Sequence, residues 1–153
     1  MISRREWIRL AGGFVIAAPA SRLLGAVPAA VPTPITVYKS PSCGCCRAWV
    51  THLRSHDFAV TSYDVEDVGP IKKRHGVPDA LSSCHTGLVG GYVIEGHVPG
   101  DVVRQLLEKR PKVLGLAVPG MPMGSPGMEG PMKQDYEVYT FDETGPTGIF
   151  AAH

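Results

Sequence analysis

The 153-residue chain lacks several features that would assign a function class at once. It has no apolar run long enough to span a bilayer: the stretch Leu10 to Ala20 is about half the required length and is broken by Gly12 and Gly13. It has no excess of one charge. The formal net charge is +1, and with residues 1–30 set aside, 11 basic and 13 acidic residues remain, so the rest is near −2. Nothing in that balance steers toward a phosphate backbone, which excludes nucleic acid as the expected partner. There is no internal repeat, and the length suits one domain rather than two. Methionine is missing between the initiator and Met121.

What is present begins with a targeting pattern. Ser3-Arg4-Arg5-Glu6-Trp7-Ile8-Arg9 pairs two arginines with two following apolar positions, ahead of the short apolar stretch. Small-residue cleavage options follow at Ala18-Pro19-Ala20 and at Pro28-Ala29-Ala30. The expected organisation is a twin-arginine-type signal peptide over residues 1–30, a linker over 31–34 and one domain over 35–153. An ordinary secretory signal would also deliver the chain to the periplasm. No membrane span is expected in the mature chain.

Within the domain, Ile35 to Lys39 alternates and is β-branched, the mark of a strand. Ser40-Pro41-Ser42 breaks it, and Cys43-Gly44-Cys45-Cys46 follows in the turn. Cys46, Trp49, Val50 and Leu53 then fall at helical spacing. A second strand is expected over Ala59 to Val65 and a short helix around Val68 to His75, stopped by Gly76 and Pro78. Thr86 to Val89 and Tyr92 to Glu95 read as a hairpin about Gly90-Gly91, and Val102 to Arg110 as an amphipathic helix. Strand, helix, strand, helix, hairpin, helix is the order of a thioredoxin-like α/β domain. Residues 111–132 are rich in methionine, proline and glycine and are expected to carry no regular element. A C-terminal β-hairpin, Glu137 to Phe141 with Gly148 to Ala151, closes the chain.

The chemistry concentrates in three places. Cys43, Cys45 and Cys46 crowd the start of a helix, where the helix dipole and free N–H groups favour thiolate. Adjacent cysteines seldom suit disulfide geometry together, so three such thiols are awkward as plain staples and apt for a soft metal. In the expected topology the loop carrying Cys84 and His85 passes beside that helix N-terminus, so this pair should face the cysteine turn. His97, at the end of the hairpin, is either a further ligand or a structural hydrogen-bonder. His52, His56 and His75 read as ordinary solvated residues, and His153 as a frayed end. Finally Met121, Met123 and Met128 sit among prolines and glycines, where no core helix or strand could use them. Thioethers shown on a loop serve mainly a soft ion such as Cu(I).

With these motifs the chain resembles the CopG-type family of periplasmic copper-resistance proteins. The matching segments are Val37-Tyr38-Lys39-Ser40-Pro41-Ser42-Cys43-Gly44-Cys45-Cys46, Trp49, Ser83-Cys84-His85-Thr86, Gly91 to Pro99, and Gly115 to Met128. The resemblance implies a thioredoxin-like copper-binding protein acting beside other periplasmic copper-handling proteins. It implies metal-binding cysteines at Cys43, Cys45, Cys46 and Cys84, supported by His85 and His97.

The leading expectation is a protein that sequesters or transfers Cu(I), with Met121, Met123 and Met128 completing a cysteine–histidine metal site. A redox alternative uses the two-residue gap between Cys43 and Cys46, as in a dithiol oxidoreductase, for disulfide exchange or interconversion of Cu(I) and Cu(II). A third reading is a zinc- or disulfide-stapled interaction domain.

Overall fold

The computed structural model describes residues 31–153, so the expected signal peptide lies outside the described residues. Within these residues seven strands and three α-helices follow in chain order: β1 (Thr33–Lys39), α1 (Gly44–Ser55), β2 (Phe58–Asp64), α2 (Gly69–Arg74), β3 (His85–Val89), β4 (Tyr92–Gly96), α3 (Gly100–Lys109), β5 (Gly115–Val118), β6 (Glu137–Asp142) and β7 (Gly145–Ala152). A single 3-10 turn, Asp79–Leu81, precedes β3. Among the described residues no helix is long and apolar enough to cross a membrane.

All seven strands join one sheet in the order β2-β1-β3-β4-β5-β6-β7. The β1–β2 and β4–β5 pairs are parallel, each closed by a helix, and the remaining neighbours are antiparallel. The alternation of strand side chains divides the interior between two faces. Ile35, Val37, Ile94, Leu116 and Val138 turn to one face, where they meet Trp49, Val50 and Leu53 of α1 and Val102, Val103 and Leu106 of α3. Val93, Ala117 and Phe141 turn to the other face and pack with Val77 and Leu81.

Six of these strands and all three helices lie where the residue pattern puts them, with ends shifted by at most three residues. The exception is β5, inside the segment expected to lack regular structure. Gly115, Leu116, Ala117 and Val118 are all buried, so the strand shows no alternation to read. A Cβ on Gly115 would lie 1.9 Å from the carbonyl oxygen of Val93, so only glycine allows β5 to close onto β4 there.

Trp49 ties the two helices of the first face together. It is fully buried, and its indole N–H donates to the Val98 carbonyl at 2.8 Å, at the entry to α3. Trp49→Phe leaves that carbonyl buried and unpaired, at an expected cost of about 1–3 kcal/mol. Urea unfolding of the metal-free protein measures this, and a change within the roughly 0.5 kcal/mol of a surface substitution would contradict it.

Candidate metal centre

The register of β1 against β3 brings the chemistry together. Lys39, the last residue of β1, faces His85, the first of β3. The chain leaves Lys39 directly into the cysteine turn, so Cys84, one residue before His85, has to lie beside that turn. The four Sγ atoms of Cys43, Cys45, Cys46 and Cys84 all lie within 4.8 Å of one another.

Cys43 caps α1: its sulfur accepts the Cys46 N–H at 3.2 Å. The first turn of α1 holds no acidic side chain, so sulfur is what meets the positive end of the helix. Cys43 and Cys46 are joined as a disulfide, with Cα atoms 5.3 Å apart, while Cys45 and Cys84 are free. Cys45 Sγ is 3.5 Å from Cys43 Sγ. Cys46 is buried and Cys43 partly exposed, so the disulfide is open to attack from the Cys43 side.

Cys84 also belongs to a second group. Its sulfur is 3.3 Å from His85 Nδ1 and 3.4 Å from His97 Nε2, and the three ligand atoms share one small volume. Both imidazoles are fully buried. The His85 ring lies 4.2 Å from Trp49 and 5.2 Å from His97, centroid to centroid, so it is held between them. His85 Nε2 is buried with no hydrogen-bond partner among the described residues.

Burial dominates the acid–base behaviour. It holds His85 well below its ordinary range and lowers His97 to about 4, so both rings are neutral near pH 7 and carry lone pairs. Burial, with Cys45 adding to it, raises the Cys84 thiol to about 11. An unliganded Cys84 is therefore protonated, and a bound cation would have to displace that proton.

The methionine loop lies over this pocket. It is ordered by its own hydrogen bonds: Gly124 N–H to Met128 O at 2.8 Å, Met128 N–H to Ser125 O at 2.8 Å, and Gln134 N–H to Met123 O at 2.9 Å. Gly127, at φ +91°, touches α1 so closely that a Cβ would meet Cys45 O at 2.6 Å and Trp49 N at 3.0 Å. Ser125 is fully buried; its hydroxyl donates to Pro122 O at 2.7 Å, and its oxygen lies 3.4 Å from His97 Nδ1. That order assigns the ring proton to Nδ1 and leaves the His97 Nε2 lone pair toward Cys84. Met123 and Met128 are partly buried, whereas Met121 is exposed and at φ +48°.

The cysteines, His85 and His97 thus converge, and the loop bearing Met121, Met123 and Met128 packs on them through Ser125 and Gly127. Two histidines depart from expectation. His52 is not simply solvated, since its Nε2 accepts the Gly100 N–H at 2.9 Å and caps α3. His153 is not frayed: its backbone pairs with Tyr136 in both directions and its ring stacks on the tyrosine. The residue pattern also missed Ser125, Lys72 and Glu95. Glu95 had a readable signal, as a carboxylate on the sheet side of Val93 between buried strand positions.

Fold and site together define a single-sheet α/β protein built around a cysteine–histidine cluster at the head of its first helix. A family model described as "Protein of unknown function, DUF411" matches residues 81–128, which include Cys84, His85, His97 and the methionine loop. Two solved structures, "Copper resistance protein copG- Form 1" and "Copper resistance protein copG- Form 2", are each 41% identical to the chain. They match 80% of this chain and 98% of their own, with TM-scores of 0.74 and 0.75. No curated protein matches it. The chain belongs to the CopG-type copper-resistance family.

The neutral imidazoles make stability depend on pH. An unfolded histidine takes up its proton near pH 6.5, whereas folded His97 resists until about 4. The unfolded state therefore binds more protons between those values, and stability present above pH 6.5 is lost as pH falls toward about 4. Burial of the Glu95 carboxyl pushes it upward and acts in the opposite sense, so the comparison needs a histidine variant. Urea midpoints of metal-free protein should fall from pH 7 to pH 4.5, and His97→Gln should flatten that fall. An equal slope in both proteins would contradict the assignment.

Proposed function

We propose that the chain is a periplasmic copper-binding protein that sequesters or transfers Cu(I) in copper resistance. The observation that carries this reading is a cluster of four sulfurs that shares Cys84 with a second group holding two neutral, buried imidazoles. Thiolate and imidazole together suit copper and zinc, and exclude the hard cations that want oxygen. The methionine loop on the same pocket favours Cu(I), because thioethers add nothing for zinc. The names of the two similar structures, as copper resistance proteins, agree with the choice of metal.

The β1-α1-β2 and β3-β4-α3 units, with the cysteine turn at the first strand-to-helix junction, support a thioredoxin-like reading of the core. Residues Cys43, Cys45, Cys46, Cys84, His85 and His97 would hold the metal, with Met121, Met123 and Met128 serving as thioether donors. Reduction of the Cys43–Cys46 disulfide by an external dithiol, itself oxidised to a disulfide, would free both sulfurs as ligands, each thiol losing its proton on binding the ion. A thiolate-bound ion with bonds of about 2.3 Å has tetrahedral sulfurs about 3.8 Å apart; Cys43 and Cys45 Sγ are 3.5 Å apart and all four lie within 4.8 Å, while the bonded Cys43 and Cys46 sulfurs would have to part on reduction. Export by the twin-arginine route, from the Arg4-Arg5 pattern, would let the domain fold before it crosses the membrane. Other periplasmic copper-handling proteins would supply or accept the ion.

A redox reading stands beside it, favoured by the disulfide itself: Cys43 is partly exposed and Cys46 buried, the asymmetry that thiol–disulfide exchange uses. In it the dithiol would exchange disulfides or pass electrons to copper.

Titrating the reduced protein anaerobically with Cu(I) against a chromophoric chelator tests the proposal. Tight binding is expected; Cys84→Ser should weaken it at least about tenfold. Replacing Met121, Met123 and Met128 by leucine should weaken Cu(I) but not zinc. Binding no tighter than that of a cysteine-free control would sink the copper reading. Reduction of insulin faster than by a Cys43→Ser/Cys46→Ser control would favour the redox one.

A further inference from the structure

We propose that Glu95, paired with Lys72, is a positioning residue that holds Cys84 and His85 at the metal pocket from the opposite face of the sheet. The inference rests on the copper-binding reading for its purpose, though not for its geometry. Alternation along β3 turns His85 toward Trp49 and α1, and the next residue, Thr86, toward α2. Thr86 faces Glu95 across the β3–β4 ladder. One carboxylate oxygen of Glu95 accepts the Ser83 N–H at 2.5 Å, and the other accepts the Thr86 hydroxyl at 2.8 Å. These are the residues immediately before Cys84 and immediately after His85. Glu95 therefore grips the ligand pair from both ends.

Lys72 of α2 completes the clamp. Its ammonium pairs with Glu95 Oε1 and donates to Thr86 Oγ1 at 3.1 Å and to the His85 carbonyl at 3.3 Å. Glu95 is fully buried and Lys72 is 8% exposed, so neither charge is solvated without the other.

The grip matters because the segment it holds has little else. Ser83 and Cys84 precede both ladders of β3, which begin at His85 against β1 and at Thr86 against β4. Gly96, at φ +71°, leaves room for Ser83 to seat: a Cβ there would lie 2.9 Å from Ser83 Oγ. Without the carboxylate, the Ser83 N–H loses its acceptor, and the approach of Cys84 to the cysteine turn loses its anchor.

Two variants separate positioning from mere stability. Glu95→Asp keeps the charge and the Lys72 partner but is one methylene short, so it cannot reach Ser83 and Thr86 together. The double variant Lys72→Met/Glu95→Gln is neutral but keeps the length: its amide oxygen can accept from Ser83 N–H and its amide N–H can donate to Thr86. The first readout needs no metal. Iodoacetamide labelling of the disulfide form, mapped by mass spectrometry, gives the Cys84 rate with Cys45 as internal reference. The second is Cu(I) affinity by chelator competition, with urea stability measured alongside.

In Glu95→Asp the Cys84 labelling rate should rise about tenfold against Cys45, and Cu(I) affinity should fall about 10–100-fold. The double variant keeps the two-ended grip on Ser83 and Thr86 but loses the Lys72 bonds to Thr86 and the His85 carbonyl, so it should fall between the parent and Glu95→Asp in both. Unchanged labelling and affinity in Glu95→Asp would overturn the proposal. So would affinity losses that simply follow lost stability across both variants. Should the double variant fail to fold, the Glu95→Asp labelling rate decides alone. Should the parent itself fail to bind Cu(I), the copper reading falls while the labelling comparison still judges Glu95.

Discussion

The antiparallel pairing of Lys39 with His85 is the contact on which the site depends. Chain direction does the rest, since Lys39 runs forward into Cys43-Gly44-Cys45-Cys46 while Cys84 runs into His85 from the other strand. Any other register would move Cys84 by at least one residue and turn its neighbour to the wrong face of the sheet. Because β1 and β3 sit inside a seven-stranded sheet, that register is held by core packing on both faces. The cysteine–histidine cluster takes its geometry from strands inside the sheet.

Around that contact the protein spends buried polar groups freely. His85, His97, Thr86, Glu95 and Ser125 are all fully buried, and Lys72 nearly so. Isolated, each would be costly; here their buried side-chain atoms find partners, with the exception of His85 Nε2. The arrangement keeps both rings neutral and oriented, at the cost of sensitivity to acid. The sulfurs are organised differently. With Cys43 and Cys46 linked, Cys45, Cys84 and the two histidines remain as free donors; with the link reduced, the sulfur set doubles. The same four cysteines thus offer two donor sets according to redox state.

Much of this was legible in the residues. The strand-turn-helix around Cys43, the hairpin about Gly90-Gly91 and α3 all carry strong period or turn signals, and the meeting of Cys84 with the cysteine turn follows from their order. What stayed hidden has identifiable causes. The β5 strand is four residues long and buried on both sides, so neither alternation nor length marks it among the prolines and glycines nearby. Lys72 belongs to a run of basic residues on a short helix, which reads as a solvated face, and only the sheet's second face reveals its burial against Glu95. Ser125 looks like loop composition until His97 is seen beside it. The Cys43–Cys46 spacing was visible, but no sequence rule chooses its oxidation state in a turn with three thiols.

X-ray absorption at the copper edge on fully reduced, Cu(I)-loaded protein tests the single-pocket account most directly. The account predicts a first shell dominated by sulfur, with imidazole scattering that is lost in a His85→Ala/His97→Ala variant. A shell of oxygen and nitrogen without sulfur, or imidazole scattering unchanged in that variant, would contradict it.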